Sequence, residues 1–163
     1  EEWHNYHKNY RVDRKDWKVI PFDEWIKRIK KLSDRFIIGD FGCGEAKIAE
    51  VIGSRVISFD HVAIDSNVIS CDMSDVSEYV KNGGLDIALF SLSLMGVNWK
   101  DYLKEAARCL NTNGYLFISM PTKQLSARLE TLRDEIVNNN FEIYKDDVIG
   151  DFTFIEARKS ELE

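Results

Sequence analysis

The chain has 163 residues, 44% of them hydrophobic, and a formal net charge of −6 at pH 7, which suits one domain spanning residues 1–163. An acidic total excludes a uniformly basic nucleic-acid-binding surface, so an RNA site must be local or depend on a protein partner or a basic extension outside this chain. No apolar run approaches the roughly 18 residues of a membrane span, no signal peptide is visible, and three cysteines without Cys-x-x-Cys spacing indicate an intracellular protein without structural zinc.

The first segment, residues 1–33, is predicted to form an N-terminal arm followed by a covering helix. Residues 7–35 hold ten Lys/Arg against five Asp/Glu, which suits either contacts with phosphates or a solvated helix face. Phe22 to Leu32 is the predicted helix, with Asp23 as its cap and an apolar face that can cover a ligand pocket. His7, in the arm, is either a ligand contact or an ordinary surface imidazole.

A strand, a glycine turn and a helix follow. Phe36 to Ile38 form a short apolar run typical of a buried strand, and apolar residues recur at helical spacing from Ile48 to Ile52. In the turn, Gly42 and Gly44 permit backbone conformations that a side chain would forbid and let a ligand come close. We expect peptide N–H groups at the start of the helix to face that ligand.

Two ligand classes use such a turn. A dinucleotide fold needs a third small residue, but that position is occupied by Lys47. An acid shortly before Gly-x-Gly resembles the first motif of class I S-adenosylmethionine-dependent methyltransferases. That resemblance implies that Asp40 organises the loop and the methionine end of the cofactor, while Gly42 and Gly44 make room for it. A glycine turn in some other α/β domain is the alternative.

Two further acids stand after predicted strands. Asp60 follows the strand Val56 to Phe59, 18 residues after Gly42, where Rossmann-like sheets place an acid that accepts hydrogen bonds from both ribose hydroxyls. Asp72 and Met73 follow a short strand that begins at Val68. In methyltransferases these positions receive the adenine amino group and pack on its ring. The alternatives are that Asp60 begins a turn and that Asp72 caps a helix.

The rest of the chain alternates strands and helices and ends in a hairpin. The predicted elements are strand Leu85 to Phe90, helix Trp99 to Leu110, strand Tyr115 to Met120, helix Gln124 to Val137, and strands Phe141 to Tyr144 and Phe152 to Ala157. Together with the earlier strands they predict a Rossmann-like core over residues 34–159. Its fold class is α/β, a mostly parallel seven-stranded methyltransferase sheet with a C-terminal antiparallel hairpin and helices on both faces.

The segment after the fourth strand stands where such folds place the methyl acceptor. It runs from Ser91 to Asn98 and lacks the Asn/Asp-Pro-Pro-Tyr/Phe motif of enzymes that methylate exocyclic amines. Asn98 is as well suited to cap the next helix as to take part in catalysis. No general base is assigned.

Taken together, several motifs resemble one family, the nucleomethylin or ribosomal RNA-processing protein eight methyltransferases. They cover about residues 6 to 118 and are Tyr6-His7-x-x-Tyr10-Arg11, Trp17-x-x-x-Pro21, Asp40-Phe-Gly-Cys-Gly-Glu45, Ser58-Phe-Asp60, Cys71-Asp-Met73 and Leu92-Ser-Leu-Met-Gly96 with Asn98. The chain departs from the family pattern at Ser119-Met120-Pro121 and from Asp151 to Phe154.

The resemblance implies an enzyme that uses S-adenosylmethionine to methylate N1 of an adenine in ribosomal RNA, in the nucleolus or nucleus of a eukaryote or the cytoplasm of a prokaryote. It implies cofactor contacts at His7, Gly42, Asp60, Asp72, Met73 and Ser91. Two alternatives remain: a methyltransferase of the same fold for a small molecule or protein, and a cofactor-binding interaction module without turnover.

Overall fold

The computed structural model describes residues 21–94 and 96–161. The predicted arm up to residue 20, including His7, lies outside these ranges. In chain order the elements are α1 Pro21–Ile29, β1 Ile38–Phe41, α2 Lys47–Ile52, β2 Val56–Asp60, β3 Val68–Ser70, β4 Leu85–Ser91, α3 Trp99–Cys109, β5 Leu110–Pro121, α4 Thr122–Leu125, α5 Leu129–Asn138, β6 Phe141–Ile149 and β7 Phe152–Lys159.

The strands within the described ranges form one sheet of seven, in the order β3-β2-β1-β4-β5-β7-β6. The pairs from β3 to β5 are parallel, and β7 runs antiparallel to both β5 and β6. The predicted mostly parallel sheet with a closing hairpin is therefore confirmed. Its parallel strands end at one edge, which is the edge where α/β sheets bind ligands.

Alternate residues of each strand feed two hydrophobic clusters on opposite faces of the sheet. One cluster packs the side of β1 carrying Phe41 against α3 and α5. The other packs Ile38 against α1 and α2. Both faces of the sheet are therefore covered by helices, as a largely parallel sheet requires.

Helix α1 is fixed to the second face by an aromatic anchor and a buried charge network. The Trp25 ring is fully buried, stacks on Phe117 with centroids 4.8 Å apart, and donates Nε1–H to Ser119 Oγ over 2.8 Å. Arg28, only 8% exposed, forms ion pairs with Glu24, Asp147 and Glu156 at 2.7 to 2.8 Å. The predicted covering helix thus has specific attachments to β5, β6 and β7.

Several predicted boundaries were wrong. Helix α1 begins at Pro21, so Asp23 lies within its first turn and is not its cap. Strand β1 begins at Ile38 and not Phe36, because its pairing with both β2 and β4 starts at Ile38.

The predicted helix over residues 124–137 is broken into two, α4 and α5. The N–H of Arg128 bonds the Leu125 carbonyl three residues back, and Ser126 Oγ donates to the Lys123 carbonyl. Both contacts tighten the turn and end the regular ladder.

The sheet strands near the C-terminus are longer than predicted. Strand β5 begins at Leu110, five residues before the predicted start at Tyr115. Strand β6 continues beyond Tyr144 to Ile149. The second half of β6 was not predicted as a strand because it carries charged residues. Such residues are common on the edge strand of a sheet.

We predict that Arg28→Ala lowers the free energy of unfolding by about 3–5 kcal/mol, because it leaves Glu156 and Asp147 without their buried cation. Urea denaturation measures the change. Lys27→Ala, an exposed neighbour on the same helix, is the control and should cost less than about 0.5 kcal/mol. A loss below about 1 kcal/mol for Arg28→Ala would show that the network does not hold α1 in place.

Candidate functional site

The candidate site lies where β1 and β2 end side by side. The parallel register pairs Asp40 with Ser58 and Phe41 with Phe59, so the following residues, Gly42 and Asp60, meet at the same edge. The sequence separates these two residues by 18 positions. The sheet places them next to each other because each is at or just beyond the carboxyl end of its strand.

Backbone hydrogen bonds tie the glycine loop to β2. The N–H groups of Gly42 and Cys43 both donate to the Phe59 carbonyl, at 2.8 and 3.0 Å. The Gly44 N–H donates to Asp60 Oδ2 at 2.9 Å. These three N–H groups hold the loop against the neighbouring strand, whereas the N–H groups predicted to face a ligand are those further along the chain, at the start of α2.

The carboxylate of Asp60 is fixed from two sides. Oδ2 accepts the Gly44 N–H, and Oδ1 accepts the N–H of His61 at 2.7 Å. Each carboxylate oxygen retains a further lone pair for a hydroxyl donor. Asp60 therefore presents an oriented acceptor beside the glycine loop.

The two glycines differ in what surrounds them. Gly42 has φ +78°, and a Cβ there would collide with the side chain of Ser93, whose Oγ donates to the Phe41 carbonyl. Gly44 has φ +56°, and a Cβ built there meets no heavy atom within 4 Å. Gly42 thus allows close packing of two loops, whereas Gly44 faces open space that a ligand can fill.

Asp40 lies below the loop and is 2% exposed. Burial, aided by the charge of Asp60, raises the pKa of its carboxyl to about 7. A cationic group brought close to Asp40 would favour its ionised form. The adjacent thiol of Cys43 also has its pKa raised well above the usual value by burial, and then by the charges of Asp40 and Asp60, so it stays protonated and is a poor nucleophile.

The two residues predicted to contact adenine differ in how exposed their side chains are. Asp72 is exposed, and its Oδ1 accepts both the N–H and the Oγ–H of Ser74, at 2.9 and 2.7 Å, which lowers its pKa. Oδ1 thus does cap the following turn, and Oδ2 is left as an acceptor. Met73 is 3% exposed and belongs to the core cluster. Only a small part of its surface is open to a ring.

Sequence reasoning missed a pair of residues beside these acids. His61 Nε2 lies 3.0 Å from the hydroxyl of Tyr102, a nearly buried residue of α3. The Ser70 hydroxyl donates to the His61 carbonyl at 2.8 Å. The position of His61 directly after Asp60 was a usable signal, whereas the contribution of Tyr102 depends on the packing of α3 and has no local signature.

Ser91 ends β4 at the same edge of the sheet. Its Oγ lies 3.5 Å from that of Ser119, the buried residue that accepts the Trp25 indole N–H. The side chains of Ser91 and Asp40 lie on the face covered by α1, since Asp40 pairs with Leu89, two residues before Ser91. Helix α1 thus reaches the candidate site through Ser119.

The predicted acceptor segment continues from Ser91 towards α3. Leu92 and Gly96 have φ +62° and +88°, and Val97 is 98% exposed. Asn98 occupies the N-cap position of α3, but its side chain makes no capping hydrogen bond. Asn98 and Val97 therefore form an open rim.

These residues fit an adenosine-bearing ligand with a positively charged end. Asp60 offers acceptors for vicinal hydroxyls, Gly44 leaves space, and Asp40 is a buried carboxyl that a cation would ionise. Within residues 21–94 and 96–161, no group of three or more His, Cys, Asp or Glu side chains is placed to hold a metal ion. Over the same ranges, no helix is long and apolar enough to cross a membrane.

Comparison with known proteins identifies relatives. A family described as "hypothetical methyltransferase" matches residues 1–163. Ribosomal RNA-processing protein 8 of Drosophila melanogaster is 35% identical over 158 residues, covering 94% of this chain and 42% of the relative. The 25S rRNA (adenine(645)-N(1))-methyltransferase of Schizosaccharomyces pombe is 38% identical over 126 residues, covering 70% of this chain and 39% of the relative. The chain thus spans about two fifths of the length of these curated relatives.

Solved structures show the fold. The 1,6-didemethyltoxoflavin-N1-methyltransferase of Burkholderia thailandensis, with bound S-adenosylhomocysteine, has a TM-score of 0.68 at 14% identity over 98% of this chain and 86% of that one. A SAM-dependent methyltransferase of Methanosarcina mazei has a TM-score of 0.66 at 16% identity over 87% and 98%. The predicted class I methyltransferase fold is confirmed.

We predict that Asp40 makes the protein less stable as the pH rises. Because the native carboxyl holds its proton up to about pH 7 and the unfolded one only to about pH 4, the free energy of unfolding falls between these values, by about 4 kcal/mol at most. Asp40→Asn should remove this decline. Urea denaturation from pH 4 to 8 measures it, with exposed Asp34→Asn as the control. Parallel profiles for wild type and Asp40→Asn would contradict the assignment.

Proposed function

Because this chain belongs to the methyltransferase family that includes ribosomal RNA-processing protein 8, we propose that it binds S-adenosylmethionine and methylates N1 of an adenine in ribosomal RNA. The observation that carries the cofactor assignment is the Asp60 carboxylate, fixed by Gly44 and His61 at the end of β2. The substrate assignment is supported by the name of the fission yeast relative, a 25S rRNA adenine-N1 methyltransferase.

Each site residue has a proposed role. Asp60 accepts the ribose hydroxyls, and its charge makes each such bond worth roughly 1.5 to 3 kcal/mol. Gly42 and Gly44 shape the loop around the methionine end, and Asp40 stabilises the positive charge there. Asp72 accepts the adenine amino group through Oδ2, while Met73 supports the ring from below.

The remaining contacts are proposed from position. Ser91 lies at the carboxyl end of β4 and contributes its hydroxyl near the reacting end of the cofactor. His7, which lies outside the described residues, is proposed as a cofactor contact on the family resemblance alone.

The reaction needs alignment more than acid–base chemistry. When bound, the cofactor supplies an electrophilic methyl group on its sulfonium, and adenine N1 carries a free lone pair at neutral pH, so no proton has to be removed first. The task of the chain is to hold the adenine in line and to exclude water, and orientation of this kind can supply roughly 7 to 11 kcal/mol. A protonated Cys43 and the absence of an assigned general base are both compatible with this role.

The adenine must be unpaired to present N1. Trp99, the first residue of α3, follows the open rim, and its half-buried ring has Lys100 Nζ at 5.7 Å and Arg128 Cζ at 5.8 Å from the centroid. An aromatic surface flanked by cations suits a base and its phosphates. We assign Trp99 as the platform for the acceptor base or its neighbour.

This function sets the location and partners. The RNA substrate places the protein in the nucleolus or nucleus of a eukaryotic cell, or in the cytoplasm of a prokaryote. Because the chain carries a net charge of −6, RNA binding is assisted by a protein partner or by a basic segment outside this chain.

We predict that labelled methyl from S-adenosylmethionine is transferred to total RNA, at N1 of adenine. Asp60→Ala should weaken cofactor binding about 10- to 100-fold, measured by calorimetry, and reduce labelling roughly 5- to 50-fold at cofactor concentrations near the wild-type Kd. Asp134→Ala, at an exposed acid on α5, is the control.

The outcomes separate the alternatives. Label only in protein or small molecules would overturn the RNA assignment. Tight cofactor binding without label in any fraction would make the chain a non-catalytic module. Absence of cofactor binding by folded protein would overturn the whole proposal.

We further predict that Trp99→Ala raises the KM for RNA about tenfold with the cofactor Kd unchanged, because stacking on one aromatic ring is worth about 1–3 kcal/mol. Trp99→Phe keeps a stacking surface and should retain most of the affinity. An unchanged KM in Trp99→Ala would show that the ring only packs against the core.

A further inference from the structure

A second concave surface lies on the face of the sheet that carries α1, away from the glycine loop. We call it the β5–β7–β6 groove; its volume is about 520 Å³. It is formed by the end of α1 with the residues after it and by the amino-terminal half of β5 with its partners. Its lining residues are Arg28, Lys31, Leu32, Tyr115, Phe117, Glu142, Tyr144, Lys145, Glu156 and Arg158.

The position of the groove is set by strand register. Tyr115 pairs with Ile87, near the start of β4, whereas the candidate cofactor site is at the opposite end of that strand, at Ser91. Arg158 lies across from Tyr115 on β7. The groove therefore does not overlap the cofactor site.

Tyrosine rings form part of its surface. Tyr115 and Tyr144 meet edge to face with centroids 6.3 Å apart, and the Arg158 guanidinium lies 4.3 Å from the centre of Tyr115. Tyr144 is 48% exposed, yet its orientation is fixed because its hydroxyl donates to Glu156 Oε1 at 2.6 Å. The Tyr144 ring is thus an exposed but immobilised stacking surface.

The cations of the groove divide into two kinds. Arg28 is committed to its ion pairs with acids, including Glu156, and adds no free charge. Lys31 and Lys145 are exposed and form no ion pair with any described residue. Arg158 lies over the Tyr115 ring and opposite Glu142 of β6, and its one hydrogen bond within the described residues runs from Nε to the Asn113 carbonyl. Three cations at the groove can therefore bind an anion.

Two acids also line the groove, and one of them, Glu156, is already bonded to Arg28 and Tyr144. Glu142 is exposed on β6 and lines the same groove. The negative charge of Glu142 should weaken binding of an anion, so removing that charge should strengthen the binding.

We propose that the β5–β7–β6 groove binds a single-stranded segment of RNA, with one base on Tyr144 and flanking phosphates on Lys31, Lys145 and Arg158. Exposed aromatic rings interleaved with unpaired cations are the features that bind unpaired nucleotides. The net charge of −6 requires attraction to RNA to be local, and the groove supplies it. The inference rests on the proposed function, since it extends the contact with RNA beyond the methylated base.

The test measures binding of a fluorescent unstructured RNA oligonucleotide to the 163-residue chain by anisotropy, without cofactor. Lys31→Gln/Lys145→Gln should weaken binding about tenfold and reduce the slope of log affinity against log salt by about 1.4, the value for two lost phosphate contacts on a single strand. Lys81→Gln, at an exposed lysine outside the groove, should change neither. Glu142→Gln should strengthen binding.

Stacking is tested separately. Tyr144→Leu should weaken RNA binding about tenfold, whereas Tyr144→Phe, which keeps the ring, should bind within about twofold of wild type. If the lysine variants lose binding to RNA and to heparin alike and Tyr144→Leu loses neither, the groove is a general polyanion patch and the RNA assignment is wrong. Groove variants that match Lys81→Gln in affinity would also overturn it.

Failure of the groove proposal and failure of the proposed enzyme function give different experimental results. RNA bound through the groove without methyl transfer would leave this inference standing and overturn the enzyme assignment. If wild type methylates RNA and every groove variant keeps its affinity for RNA, this inference is wrong and the enzyme assignment stands.

Discussion

The candidate site depends on one set of hydrogen bonds, those that join the loop after β1 to the end of β2. The Phe59 carbonyl accepts two N–H groups of the loop, and the Asp60 carboxylate accepts a third, from Gly44, as well as that of His61. These bonds give the loop a fixed shape and orient Asp60 before a ligand arrives. Because these donors are used within the protein, the loop offers a ligand only the open space at Gly44 and the oxygen acceptors of Asp60.

The position of the site could be predicted from the sequence because it depends on strand ends. Once β1 and β2 are recognised as parallel neighbours, Gly42 and Asp60 must lie together, whatever the error in each boundary. The mostly parallel sheet and its closing hairpin were predicted from the same alternation of elements. Contacts between distant segments could not be predicted, as with Ser93 against Gly42 or Tyr102 beside His61. They depend on how α3 and the acceptor segment pack.

Local hydrogen bonds and side-chain packing explain several of the wrong predictions. Hydrophobic periodicity joined α4 and α5 into one helix, whereas the Ser126 hydroxyl and the Arg128 N–H end the first of them by bonding nearby carbonyls. Met73 was assigned to a ligand from its place in a motif, yet its side chain is nearly all within the core. A motif fixes where a residue lies along the chain, and packing determines how much of its side chain a ligand can reach.

The most direct measurement is a crystal structure of the chain with S-adenosylhomocysteine. The account predicts both ribose hydroxyls within about 3 Å of the Asp60 carboxylate and the ligand backbone passing over Gly44. Electron density for the ligand at another place, or a ribose turned away from Asp60, would contradict it.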